Sequence, residues 1–299
     1  MTPFPSRVLV AGSANLDFVV RAPRIPAPGE TILGGNFQTH PGGKGANQAL
    51  ACARMGTPTH MLLALGDDAY AQPLEASLRG AGVALHIVRV PEAMTGTAFI
   101  CVSDTTAENA ITVAPGANSL LGAQHLPPLG SFSHLLLQLE TPLPAVEAMA
   151  EQASQAGITV MLNAAPAQHL PPRLLSLLDW LIVNEEELAR ITGIEGDVDS
   201  ALRSVPVPHV VVTLGARGAR SRLGSLYHQH AAYPVQAVDT TAAGDTFCGA
   251  LAAGLALGLP ALRALEQAGA AAALACTRAG AQTSIPQHNE VLALLEKNG

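Results

Sequence analysis

The sequence predicts an α/β protein: a doubly wound, mostly parallel sheet flanked by helices, with a small β-sheet lid. Three observations carry this. Short apolar runs alternate with longer helical patterns, the signature of parallel strands joined by crossover helices. Two pairs of strand-like runs lack any helix between their members, so they stand outside that alternation. The chain of 299 residues is 48% hydrophobic and only 13% charged, enough apolar material to cover a sheet on both faces.

In chain order, residues 7–12, 60–65, 134–139, 158–162, 180–183 and 209–214 read as buried parallel strands. Helical stretches at 46–55, 69–79, 143–156 and 185–191 lie between them. The C-terminal third is helical, at 244–257, 261–277 and 289–297. The two hairpin-like pairs are 17–21 with 31–39, and 97–103 with 109–113. They form a discontinuous lid, about 15–40 and 95–115, on one domain spanning 1–299. No repeat or low-complexity linker interrupts it.

The net charge of −7 comes without a basic stripe, and aromatic residues are only 3%. Nucleic-acid binding therefore has neither an electrostatic nor a stacking basis. The start, Met1 to Arg7, is short and polar, and the apolar residues 8–12 match a strand rather than a signal-peptide core. Residues 249–259 and 268–275 are too short or too glycine-rich to span a membrane. Cys52, Cys101, Cys248 and Cys276 are scattered without a Cys-x-x-Cys pair, which points to reduced thiols in a cytoplasmic protein. His228 and His230 share a strand face but lack a third metal ligand.

Three motifs carry chemistry. Asp239-Thr240-Thr241-Ala242-Ala243-Gly244-Asp245-Thr246-Phe247 reads as a strand end, a small-residue turn and a helix start. Unpaired helical N–H groups there can receive an anion, and Asp245 lies beside it as a base. An anion cradle with an adjacent base suits phosphoryl transfer to an alcohol; taken alone, the turn reads more readily as a capped helix. Pro41-Gly42-Gly43-Lys44-Gly45-Ala46-Asn47 lets backbone approach a ligand closely. It is not a Walker A loop, because Gly follows Lys44. Gly12-Ser13-Ala14-Asn15-Leu16-Asp17 follows the first strand, and its carboxylate and amide can pair with vicinal hydroxyls. It also lacks the Gly-x-Gly-x-x-Gly of dinucleotide-dependent oxidoreductases.

Six motifs in order resemble the ribokinase-like family of sugar and nucleoside kinases. They are 12–17, 42–47, Gln138-Leu139-Glu140-Thr141-Pro142, Val183-Asn184-Glu185-Glu186-Glu187, Thr213-Leu214-Gly215-Ala216-Arg217-Gly218 and 239–247. The likeness runs from about Val8 to Pro286. Ala242-Ala243-Gly244-Asp245 and Leu139-Glu140-Thr141-Pro142 resemble its ribokinase branch in particular. The resemblance implies ATP-dependent phosphorylation of D-ribose at the 5-hydroxyl. Asn15, Asp17, Gly43, Lys44, Asn47 and Glu140 would form the sugar pocket. Asp245 would be the catalytic base, with Ala242, Ala243 and Gly244 offering the anion-binding N–H groups. Asn184 and Glu187 would hold Mg2+ through water, and Thr213, Gly215 and Gly218 would bind the nucleotide with Gly244. A K+ ion would be held by the Asp239 carboxylate, the carbonyls of Thr241, Ala275, Arg278 and Gly280, and the Ser284 hydroxyl. The lid would close over the sugar and pair two subunits, with Ile32, Phe37, Phe99 and Ile111 buried between them. Gly269 stands where the branch carries a polar side chain near adenine. Alternatives are a kinase for deoxyribose, a ketose or a nucleoside, or a non-catalytic sugar-binding regulator. Few aromatics near the motifs disfavour a nucleoside, and the presence of Gly244, Asp245 and Glu187 disfavours a regulator.

Overall fold

A computed structural model describes residues 6–106 and 108–298. The residues Met1 to Pro5 of the polar leader, Ala107 in the lid and Gly299 lie outside the described residues.

Strands β1 (Val8–Ala11), β4 (Thr59–Leu65), β5 (Ala84–Arg89), β8 (His134–Leu137), β9 (Thr159–Asn163), β10 (Trp180–Asn184), β11 (His209–Thr213), β12 (Ala219–Leu223) and β13 (Leu226–His230) form the main sheet. Its order is β13-β12-β11-β10-β9-β8-β1-β4-β5. The seven strands from β11 to β5 pair in parallel, and β12 and β13 close one edge antiparallel. Strands β2 (Asn15–Ala22), β3 (Phe37–Gly42), β6 (Gly96–Ser103) and β7 (Asn109–Ala114) form a separate sheet in the order β3-β2-β6-β7.

Period-two alternation sorts the main sheet's side chains onto two faces. Val8, Val10, Met61, Leu63 and Leu136 pack against α1 (Lys44–Arg54), α2 (Ala71–Gly80), α7 (Ala243–Ala256), α8 (Ala261–Ala275) and α9 (His288–Asn298). Leu9, Ala11, Leu62, Leu135 and Leu137 pack against α3 (Leu143–Gln155), α4 (Pro172–Ser176), α5 (Glu185–Thr192) and α6 (Val198–Ser204). Both faces are dry, so the strands read as continuous apolar runs.

The small residues of α7 serve a close helix crossing. A Cβ on Gly249 would lie 2.4 Å from the Gln48 carbonyl oxygen and 2.6 Å from the Ala51 Cβ. Helices α1 and α7 therefore meet almost backbone to backbone. That contact brings the amides at the start of α1 to the carboxylate at the start of α7.

The structure corrects several sequence expectations. β5 and β13 are the sheet's edges and β12 lies next to β13, and their mixed polar sequences do not match the apolar run of a doubly buried strand. Residues 231–240 carry no strand, so Asp239 follows a long irregular connection instead of a strand end. The second lid run begins at Phe37, not at 31, and continues to Gly42. The two lid pairs also join through a parallel β2–β6 ladder.

Register further divides the expected apolar lid patch. Val20 faces Phe37, Phe18 faces Phe99, and Phe18 stacks on both rings. Ile111 pairs with Ile100, on the opposite face, which it shares with Asp17. Ile32 lies in the irregular segment before β3.

Candidate active site

The site forms at the carboxyl ends of the parallel strands, where loops from β1, β8, β9 and β10 meet the starts of α1, α5 and α7. Strand β1 ends in Gly12, and the chain turns through Ser13 and Ala14 into the lid. A Cβ on Gly45 would lie 2.7 Å from Gly12 C, Ser13 N and Ser13 O, so α1 starts in direct backbone contact with this turn. Gly43, at φ 88, leads into the helix, and its Cβ would meet Asn15 N at 2.7 Å. The glycines of the second motif therefore serve backbone approach.

Glu140 braces the same junction. Its Oε2 accepts the Ser13 hydroxyl at 2.6 Å and the Lys44 N–H at 3.1 Å. Asn15 is buried, and its Oδ1 accepts from Asn118 Nδ2 at 2.8 Å. Asn118 also accepts the Ala14 N–H and donates to the Ala14 carbonyl, which fixes the turn.

Asp17 points back from the lid, and its carboxylate occupies the space that a Cβ on Gly42 would take. Burial raises its pKa to about 7, with the Glu140 and Asp245 carboxylates adding to the shift.

Asp245 is 8% exposed in the first turn of α7. Its Oδ2 accepts Asn47 Nδ2 at 2.9 Å, and its Oδ1 accepts Gln48 Nε2 at 3.0 Å. The Asn47 Oδ1 is buried without a protein partner, a ready acceptor for a ligand hydroxyl. Ahead of Asp245, Ala242 is the one described non-glycine residue with positive φ, at 59°. Left-handed backbone at alanine costs on the order of 1 kcal/mol. It lets the helix begin abruptly: the Ala243 N–H donates to the Thr240 carbonyl at 3.2 Å, and those of Gly244 and Asp245 precede the first full turn. A Cβ on Gly244 would meet nothing within 4 Å, so that glycine leaves open space.

A cavity of about 170 Å³ opens there, lined by Lys44, Asn163, Asn184, Glu187, Gly244 and Asp245 among others. Lys44, expected with the sugar group, thus lines the same cavity as the Asn184–Glu187 pair. Burial alone would lower the Lys44 ammonium, but the Asp245, Glu140 and Glu187 carboxylates outweigh it and hold its pKa above the ordinary value. Asn184 and Glu187 form a reciprocal cap on α5: Glu187 N–H donates to Asn184 Oδ1, and Asn184 N–H to Glu187 Oε2. Burial raises the Glu187 pKa.

Beyond β11, Thr213 lines the cavity, and Gly215 and Gly218 take φ 58 and 85. A Cβ on Gly218 would sit 2.0 Å from the His230 carbonyl oxygen, so only glycine lets the 230–232 segment pass. The Tyr233 ring lies 3.5 Å from where a Cβ on Gly269 would be, so an aromatic side chain covers that position. Behind the anion turn, Asp239 Oδ1 accepts the Thr241 N–H and hydroxyl, and Oδ2 accepts the Gly280 N–H at 2.9 Å. The loop that follows α8 therefore folds against the Asp239 turn. Ala275 O accepts the Arg278 N–H, and the Ser284 hydroxyl donates to the Ala281 carbonyl.

Sequence reasoning missed Gln48, Asn118 and Asn163. The signal for Gln48 was an amide immediately before the apolar run Ala49-Leu50-Ala51-Cys52 of a buried helix; such a group is retained only with partners.

The pfkB family carbohydrate kinase model matches residues 5–288. The chain belongs to the pfkB family of carbohydrate kinases. A ribokinase of Haemophilus influenzae is 41% identical, over 96% of this chain and 97% of its own length. A ribokinase of Bacillus subtilis is 36% identical over 96% and 99%. The solved structure of Arabidopsis thaliana ribokinase complexed with ribose and ATP superposes with a TM-score of 0.89 at 33% identity, covering 98% of this chain and 99% of that one. Four of the six motifs of this pfkB chain contribute to the cavity lining, through Lys44, Asn184 and Glu187, Thr213, and Ala242, Gly244 and Asp245, whereas 12–17 and 138–142 lie outside that lining.

Proposed function

We infer that this chain transfers the γ-phosphoryl group of ATP to the 5-hydroxyl of D-ribose, giving D-ribose 5-phosphate and ADP. One observation carries the reading: Asp245 is held by two amides at a helix start, between the open cavity at Gly244 and the polar set Asn15, Asp17, Asn47 and Glu140. The ribokinase relatives supply the substrate class. In this reading Asp245 takes the proton of the ribose 5-hydroxyl as its oxygen bonds to the γ-phosphorus, and the bond to the β-bridging oxygen of ADP breaks. Helix-start N–H groups and Lys44 stabilise the negative charge on the moving group. A panel of pentoses, hexoses and nucleosides, assayed for ATP-dependent ADP release, tests the proposal. ADP release with another sugar but none with ribose would overturn the substrate and leave the reaction class.

The buried Glu187 beside Asn184 suits Mg2+, which keeps most of its waters and takes few protein oxygens. The ion would supply charge neutralisation between the phosphates, and the α5 cap would fix the carboxylate that orients its waters. Nucleotide contacts are assigned to Thr213, Gly215, Gly218 and Asn184.

A K+ site is proposed behind the anion turn, with Asp239, Thr241, Ala275, Arg278, Gly280 and Ser284 as ligands. Burial raises the Asp239 pKa, but hydrogen bonds from Thr241 and Gly280 outweigh it and keep the carboxylate below its ordinary value, hence charged. One carboxylate among carbonyl oxygens forms a weak-field cage suited to a large monovalent ion. Its role would be to hold the Ala242 to Asp245 backbone in place. Potassium is expected to activate far more than sodium, and Asp239→Ala to abolish that activation. Equal rates with a bulky organic cation as the only monovalent salt would remove the site.

The Asp17 titration gives a second expected result. Its raised pKa means that the ligand-free protein gains stability from the protonated form below 3.8 and loses it as pH rises toward about 7. Sugar hydroxyls donate to the ionised form, so ribose binding should release a proton near pH 6 and tighten as pH approaches 7. Calorimetry in two buffers of different ionisation enthalpy reads this directly. Binding at pH 6 without proton release would contradict it.

Exposed Phe37, Phe99, Ile111 and Val113 on the lid sheet favour a homodimer through that sheet, because small sheets seldom leave apolar faces in water. Light scattering showing a monomer at micromolar concentration would exclude it. Four free cysteines fit the cytoplasm, and fractionation tests that placement. No helix among the described residues is long and apolar enough to cross a membrane.

A further inference from the structure

The amide network behind Asp245 has a direction that its end groups impose. Gln48 Nε2 lies 3.0 Å from Asp245 Oδ1 and 3.0 Å from Asn163 Oδ1. Its Oε1 accepts from Gln138 Nε2 at 2.8 Å. Asn163 Nδ2 in turn donates to the Ile182 carbonyl oxygen at 3.2 Å. A carboxylate and a backbone carbonyl only accept hydrogen bonds. Asn163 must therefore turn its NH2 to Ile182 and its oxygen to Gln48. Gln48 must then present NH2 to both Asn163 and Asp245, which leaves its oxygen for Gln138. None of these three amides can flip without setting donor against donor or acceptor against acceptor. Gln48 and Gln138 are buried at 0% and 1% exposure, so water cannot repair a flip.

We propose that Gln48 is a positioning residue for phosphoryl transfer: locked by Gln138 and Asn163, it fixes the orientation of the Asp245 carboxylate. This rests on Asp245 being the base. Asn47 holds the other carboxylate oxygen from the same helix, but its own Oδ1 is buried and unpaired. Asn47 is thus free to adjust to the sugar, whereas Gln48 is pinned from three sides. The split assigns sugar contact to one amide and base alignment to its neighbour.

Other titratable groups also face Asp245. They are Lys44 from α1, Asp17 from β2, Glu187 from α5 and the Cys248 thiol from α7 itself, with Glu140 beside Asp17 and Lys44. All are kept in the variants below, so changes in the pH profile report the residue at 48.

Gln48→Leu removes the donor while filling the space. Its turnover should fall roughly tenfold with little change in the ribose KM. Gln48→Glu keeps the shape. While the introduced carboxyl and Asp245 share one proton, its single O–H can donate to Asp245, at the expense of the bond to Asn163, and turnover persists. As pH rises and the pair loses that proton, the donor is gone, so turnover should fall along an alkaline limb that the parent lacks. If Gln48→Leu does not fold, the alkaline limb of Gln48→Glu decides, with a thermal melt showing that this variant is folded. Parent-like turnover and pH profiles in both variants would overturn the proposal. So would equal losses at every pH in Gln48→Glu, which is what mere loosening of the core would give. Asp245→Asn is measured alongside: if it retains turnover, the assignment of the base fails; if it is inactive while the Gln48 profiles match the parent, only the role of Gln48 fails.

Discussion

Asp245→Asn is expected to lower turnover by roughly 100-fold or more while leaving the fold intact and sugar binding largely so. The geometry explains why the variant should fold. Both carboxylate oxygens accept from amide NH2 groups, and an asparagine offers only one acceptor. Gln48 cannot turn, so the new oxygen faces Gln48 and the new NH2 faces residue 47. Asn47 can flip, because its Oδ1 is buried and unpaired and gains a donor by doing so. The bonds to residues 47 and 48 are conserved, but the flip replaces the free Asn47 oxygen with an NH2, so ribose binding should weaken modestly while turnover loses its proton acceptor. ADP release and calorimetric ribose binding separate the two effects. Near-normal turnover would remove Asp245 from the chemistry.

Gly45→Ala should damage both stability and activity. The three atoms that its Cβ would meet at 2.7 Å are all backbone of the β1–β2 turn, so no side chain can swing aside. Either α1 or the turn must shift. That breaks the Ala46 N–H to Ser13 carbonyl bond of 2.9 Å and displaces Ser13 from Glu140. Overpacking of this kind costs about 1–3 kcal/mol. Lys44, Asn47 and Gln48 move with the helix, so turnover should fall as well. Gly80→Ala is the control: it sits in α2, nothing lies within 4 Å of its Cβ, and alanine is the better helix former. A denaturant midpoint for Gly45→Ala equal to that of Gly80→Ala would show that the turn yields freely.

Where the sequence misled, the reasons are physical. β5 (Ala-Leu-His-Ile-Val-Arg) and β12 (Ala-Arg-Ser-Arg-Leu) lie near the edges of the sheet, and a polar strand there needs only hydrogen-bonding neighbours, not an apolar pattern. The lid residues Phe37, Phe99 and Ile111 were legible as apolar strand positions. Which face each takes depends on register, and one residue of offset reverses the face. Lys44 was legible as a site residue from its glycine-flanked motif, but its reach into the Glu187 cavity depends on where α5 ends up.

The sequence by itself determined the alternation of buried strands and helices, the places where glycine frees the backbone, and the motifs that bear carboxylates and amides. These are local properties, set by side-chain period and allowed φ and ψ over a few residues. Only the tertiary structure decided which groups meet. Gln48 and Asp245 are 197 residues apart in sequence. They touch because Gly249 lets α7 cross α1 at backbone distance, and that one packing contact, not any local pattern, aligns the carboxylate with its two amides.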